Sequence, residues 1–142
     1  MAKSKDMVTW QDGSPALRNG TSYDSLGVFS RSIVSRLVEG KRELFLFYTS
    51  VSAVPIHWSE PYIESCESQS VAFSTDFGTS WHRYESNPLL RTPPKREATT
   101  GWRDPFVTQS PSLSALMGAD AATNFMMIAS GERGHGPQLH LY

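Results

Sequence analysis

Trp102-Arg103-Asp104-Pro105-Phe106 sets an indole, a guanidinium and a carboxylate in consecutive positions ahead of a proline. Pro105 fixes its own φ and disfavours the helical region for Asp104, which predicts a rigid, extended turn carrying the carboxylate. Arg103 next to it favours the ionised carboxylate and can itself donate hydrogen bonds to hydroxyls. An ionised carboxylate accepts strongly from paired sugar hydroxyls, and Trp102 offers a flat apolar face of the kind a sugar ring packs against. Taken alone, Arg-Asp-Pro is only a tripeptide, and a salt bridge closing a turn is the more frequent explanation of it.

A second aspartate sits in Ser74-Thr75-Asp76-Phe77-Gly78-Thr79-Ser80-Trp81. This resembles the Asp-box turn, S-x-D-x-G-x-[ST]-W, of sialidases and other β-propellers. The chemistry it implies is structural: Asp76 accepts backbone N–H groups of its own turn, Gly78 supplies positive φ, and Trp81 packs on the sheet. The Pro-rich stretch from Ala53 to Tyr62 holds Ile56, His57 and Trp58 together. It suits either a pocket wall or a solvent-facing loop pinned by Trp58. The Pro-broken, charged run from Leu90 to Glu97 reads as a solvated connector.

Composition removes several classes of function. A formal charge of -1 over 142 residues leaves no electrostatic footprint for nucleic acid or an anionic membrane. No apolar run approaches the roughly 20 residues that span a bilayer. One cysteine, Cys66, excludes an internal disulfide and a Cys-rich zinc site, and the four histidines are scattered, so no metal or organic cofactor is implied. Cys66 reads as a half-buried small side chain rather than a reactive thiol. The polar start from Met1 to Asp6 is not a secretory signal, and the sequon Asn19-Gly20-Thr21 matters only in an exported chain.

The elements that must position these residues are strands. Short apolar or alternating runs are separated by Gly, Pro, Asn, Asp and Ser. Gly27-Val28-Phe29-Ser30 leads into Ser32-Ile33-Val34, and Leu44 to Thr49 follows a turn at Glu39-Gly40-Lys41. The unbroken apolar character of that second run suits a strand covered on both faces. Ser68 to Ser74, Trp81 to Tyr84, Phe106-Val107, Phe125 to Ala129 and Gln138 to Tyr142 complete an all-β reading. Only Val34 to Glu39 and Ser112 to Met117 have a helical look, the latter as a turn closed by Gly118. The chain begins and ends mid-pattern, as a fragment would.

Read together, the motifs resemble glycoside hydrolase family 32, the invertases and fructosyltransferases. Phe29-Ser30-Arg31-Ser32 is similar to the family's F/W-S-G-S element. Glu67 to Asp76, with Gly78 and Trp81, is similar to its second-blade hairpin, Asn87-Pro88-Leu89-Leu90 to its N-P-[VIL]-[LI] step, and Arg103-Asp104-Pro105 to its R-D-P motif. The resemblance covers residues from about Thr9 to Tyr142, and between Tyr48 and Val107 it is strongest to fungal sucrose fructosyltransferases. It implies a partial five-bladed β-propeller of about two blades, truncated at both ends, over residues 9–142. Residues 1–8 are expected to be a disordered or non-native extension.

In such enzymes two carboxylates carry a retaining mechanism on sucrose or related fructosides. The resemblance gives Asp104 the role of transition-state stabiliser, with Arg103 supporting it. It places Phe29 and Ser30 along the fructosyl pocket, and Ile56 and His57 near the acceptor side. The partner implied is a small sugar. The family is usually secreted, whereas no export address is seen here, so the compartment stays open, the cytoplasm included.

Three departures count against activity. No N-D-P-type nucleophile motif lies in residues 1 to 26, the E-C-P-type acid/base motif belongs beyond Tyr142, and Glu64-Ser65-Cys66 lacks its spacing. Arg31 also stands where the family has Gly, where it is expected to strain the turn, block sugar entry or pair with a carboxylate. The expectation is an inactive segment of a fructoside-processing enzyme. The alternatives are a non-catalytic carbohydrate-binding remnant, a sialidase-like propeller fragment, or the product of a broken gene.

Overall fold

The computed structural model describes residues 2–57, 59–94 and 98–142, apart from the side chains of Ser30 and Arg31. Two antiparallel meanders make up most of it. The first runs β3 (Gly27–Val38), β4 (Lys41–Val51), β5 (Glu67–Ser74) and β6 (His82–Arg83) in that spatial order. The second runs β7 (Thr99–Gln109), β8 (Asn124–Glu132) and β9 (Gly136–Leu141). A short exposed pair, β1 (Ala2–Lys3) with β2 (Gln11–Asp12), precedes them, so the first eight residues contribute a strand.

The turns follow from local chemistry. Glu39 and Gly40 both take positive φ, 49° and 77°, as a two-residue hairpin loop requires when its twist matches the strands it joins. Val34 to Val38 therefore continues a strand rather than starting a helix. The helical turn expected near Ser112 is α1 (Pro111–Met117), opened by a Ser110 cap with proline in the first turn and closed at Gly118.

β4 has a different covering on each face, which its period of two dictates. Leu46 and Tyr48 pack with Ala72, Val28, Leu17 and Trp81 on the face away from the second sheet. On that side buried Asp24 accepts from the Gly20 and Thr21 amides and pairs with Arg83 at 2.8 Å. Burial alone would raise its pKa, yet the bonds from Thr21, Arg83 and Gly20 hold the carboxyl below its ordinary value. Asp24 thereby fastens the segment before β3 to β6.

The opposite face meets β7, which packs against β3, β4 and β5. This seam is graded along its length. At one end Val34, Phe45 and Phe47 face Val107, Phe125 and Met126 around a gap of about 450 Å³. At the other end the facing residues are Thr49, Glu67 and Gln69, all fully buried, in register as Thr49↔Gln69 and Val51↔Glu67. Buried polar side chains need partners, and here the partner is the backbone of β7.

Candidate functional site

The register of β7 on β8 shifts between Arg103 and Phe106. Asp104 and Pro105 together oppose the single residue Ile128, which is a β-bulge. Proline has no N–H to give to a ladder, so a bulge is where a strand tolerates it. Pro105 is fully buried and Asp104 is exposed. Asp104 has φ of 64°, so the extended conformation expected of it is incorrect. Its proline neighbour disfavours the right-handed helical region, and aspartate is among the residues that accept positive φ.

Three side chains of the first sheet hold this bulge. Thr49 Oγ1 accepts the Asp104 N–H at 3.0 Å, Gln69 Nε2 donates to the Trp102 carbonyl at 2.8 Å, and Glu67 Oε2 accepts the Trp102 N–H at 2.6 Å. Thr49 in turn donates to Gln69 Oε1 at 3.1 Å. The carboxylate of Asp104 is thus positioned through its own main chain. No hydrogen bond or ion pair joins that carboxylate to another side chain among the described residues.

Two expectations about its neighbours need correcting. Arg103 does not pair with Asp104: its Nε lies 2.7 Å from Glu67 Oε1. A carboxylate removed from water gains more from a counter-ion than an exposed one does, and the bulge aims Arg103 at it. Burial nonetheless pushes the Glu67 pKa up, with Asp104 adding to the rise and the Trp102 amide and Arg103 opposing it. Trp102 is not a platform for a sugar ring either. It is fully buried and meets Tyr142 edge-on with ring centroids 6.3 Å apart.

Arg103 and Asp104 line one open depression of about 270 Å³ with Thr100, Gly101, Ala129 and Ser130. Gly101 leaves room for the guanidinium: a Cβ there would come within 2.8 Å of Arg103 Nη2 and displace it. Phe29, 41% exposed, stands outside the depression but opposite Thr49, one bond from Asp104, at a second bulge between Phe29 and Arg31. Ser30 is the bulged residue, and its side chain, like that of Arg31, lies outside the described residues. Ile56 and His57 sit in the loop between β4 and β5 and do not line the depression, with His57 Nδ1 accepting the Ser59 N–H at 3.2 Å and 2.7 Å from Ser59 Oγ. Trp58 and the residues 95–97 lie outside the described residues.

Asp76 belongs to the far end of β5. Its carboxylate accepts from the Thr79 and Ser80 amides at 3.0 and 2.9 Å and from the Ser74 and Ser80 hydroxyls at 2.8 and 2.6 Å. These bonds, Ser80 first, hold its pKa well below the ordinary aspartate value. Gly78 takes φ of 83°, and Trp81 Nε1 donates back to the Gly78 carbonyl at 3.2 Å.

Sequence reasoning missed Thr49, Glu67 and Gln69 as supports of the site. The available signal was the polar run Glu67-Ser68-Gln69-Ser70 inside a strand whose neighbours are apolar, since polar side chains facing inward imply a polar counterpart.

The family model described as "Glycosyl hydrolases family 32 N-terminal domain" matches residues 1–133. Over 110 residues the chain is 32% identical to a levanase of Bacillus subtilis (strain 168), covering 75% of this chain and 14% of that protein. It is 31% identical to an invertase of Schwanniomyces occidentalis, covering 75% of this chain and 18% of the relative. Among solved structures, an Aspergillus kawachii beta-fructofuranosidase complexed with glycerol superposes with TM-score 0.88 at 35% identity, over 99% of this chain and 24% of that one. A fructosyltransferase from A. japonicus gives TM-score 0.82 at 28% identity, over 99% and 26%. The chain thus spans less than a quarter of the length of the curated relatives. The two meanders are two blades of a partial propeller of this kind.

Proposed function

Since this chain belongs to glycosyl hydrolase family 32, we propose that its Arg103-Asp104 depression grips the fructosyl unit of sucrose or a related β-fructofuranoside. The observation that carries this reading is a single one: an exposed carboxylate, fixed by its backbone on a bulge, beside a guanidinium in an open depression. Asp104 accepts from neighbouring ring hydroxyls, and Arg103 donates from its Nη atoms while its Nε faces Glu67. Phe29, next to the matching bulge of β3 at Ser30, forms the adjoining wall, and Ile56 and His57 lie toward the acceptor.

In a whole enzyme of two-carboxylate type, Asp104 stabilises positive charge developing on the fructosyl ring without bonding to it covalently. The fructosyl unit then passes to another sugar hydroxyl or to water. Within residues 1–142 no N-D-P-type or E-C-P-type motif accompanies Asp104, and loss of members of a catalytic set removes most of the rate. The 142-residue chain therefore binds and does not turn over, and in that form it is a carbohydrate-binding segment. Calorimetric titration with fructose and sucrose tests the binding, with Asp104→Asn as the control because Asn also accepts positive φ. Binding that survives this change, or sucrose cleavage by the isolated chain at whole-enzyme rates, would refute the proposal.

A further inference from the structure

Among the described residues, Glu67 is the one fully buried carboxylate facing the depression's frame, and in the binding reading it touches no sugar atom. Its two oxygens engage the two residues before Asp104: Oε2 takes the Trp102 amide at 2.6 Å and Oε1 faces Arg103 Nε at 2.7 Å. One carboxylate thereby fixes both the main chain entering the bulge and the side chain flanking it. We propose that Glu67 is a positioning residue, which holds Arg103 and the Asp104 bulge in the geometry that binds sugar and does so against the interest of the fold's stability. The inference rests on the reading of Asp104 and Arg103 as the sugar-gripping pair.

The physics of a buried ion pair separates positioning from stability. Desolvating a carboxylate is costly, and a single partly exposed counter-ion does not reliably offset it. Arg103 is 31% exposed whereas Glu67 is fully buried, so Glu67 bears most of that cost. The raised pKa of Glu67 has the same origin. A neutral residue of the same shape would keep the Trp102 bond through its carbonyl and release the desolvation cost, and it would lose its hold on Arg103. A residue kept only for folding would behave in the opposite way.

The titratable groups around Glu67 are Tyr62 and Cys66 from its own loop, both pushed up chiefly by burial, and Arg103 and Asp104 from β7. Of these, Tyr62 and Cys66 are both shifted upward, away from the carboxylate range. A transition above the ordinary glutamate range, near about 4.3, sensed at the Trp102 amide and absent in Glu67→Gln, belongs to Glu67.

The test compares the full chain with its Glu67→Gln variant by fructose titration, thermal melting and amide NMR. Expected are affinity weaker by at least about tenfold, a melting midpoint equal or higher, and loss of both the Trp102 amide titration and the exchange protection of the Arg103 Nε–H, which faces Glu67. Unchanged affinity with a folded variant overturns the inference while leaving the sugar reading intact, and so does a variant that melts markedly lower or does not fold. If the parent chain itself binds no fructose, the sugar reading falls instead. The clamp is then judged on the Arg103 Nε–H alone: protection lost in Glu67→Gln at unchanged melting supports it, and protection retained overturns it.

Discussion

The Asp-box turn and the Arg-Asp-Pro bulge each centre on an aspartate next to a backbone irregularity, and they use it in opposite ways. Asp76 turns its carboxylate inward on its own loop and accepts from two amides and two hydroxyls within four residues. Asp104 is held by its amide, through Thr49, a residue 55 positions away, and leaves its carboxylate toward an open depression. A local network needs no tertiary partner and stabilises a hairpin. A long-range one delivers a charged group to a place that can receive a ligand, at the cost of buried polar groups that must all be paired. The comparison shows that an aspartate's function is set by which of its own atoms the protein already occupies.

Breaking the frame should have the largest effect. Trp102→Ala removes a fully buried indole from the seam between the sheets and is expected to destabilise the chain by about 3–5 kcal/mol, measured by denaturant unfolding. Hydrogen exchange should show the Asp104 amide losing protection well before the amides of the Asp76 turn. Next, Asp104→Asn should weaken fructose binding by at least about tenfold while the melting midpoint moves by no more than about 2 °C. If Asp104→Asn melts far lower with binding intact, the two aspartates are alike after all.

Asp76→Ala should do the converse. A fall in midpoint of about 5 °C with unchanged fructose affinity is expected, since the Asp76 turn lies at the opposite end of β5 from Glu67, about 23 Å away along the strand. The smallest effect is on acid titration. Because the folded Asp76 carboxyl sits below its unfolded value near about 3.9, its stabilisation is present above that value and is lost only as pH falls through the folded pKa. Its carboxyl carbon resonance should therefore stay in the ionised position at pH 4. A midpoint in the ordinary aspartate range there would mean that the turn's bonds are not made.

The parts of this structure legible in the sequence are those with local causes. The Asp-box turn, the Glu39-Gly40 hairpin and the two-sided covering of β4 follow from spacing and turn chemistry within a dozen residues. The depression follows from registers between distant strands, so Arg103-Asp104-Pro105 pointed to its place without giving its shape. Trp102 was misread because its neighbours are polar, although the bulge that exposes Asp104 is what sends the indole inward. Glu67 was passed over because its partner amide lies 35 positions on in the chain, and no local pattern announces a carboxylate that answers a backbone group so remote. The all-β class and the two-blade partial propeller did not depend on such pairings.

Gly101 has no functional group, and yet the guanidinium of Arg103 lies where a methyl at that position would have to go. Evolutionary drift at this inert-looking site would nudge a cation off its anion, two residues along and on another sheet, before it disturbed any binding atom directly. The vulnerable point of a sugar grip can therefore be a missing carbon.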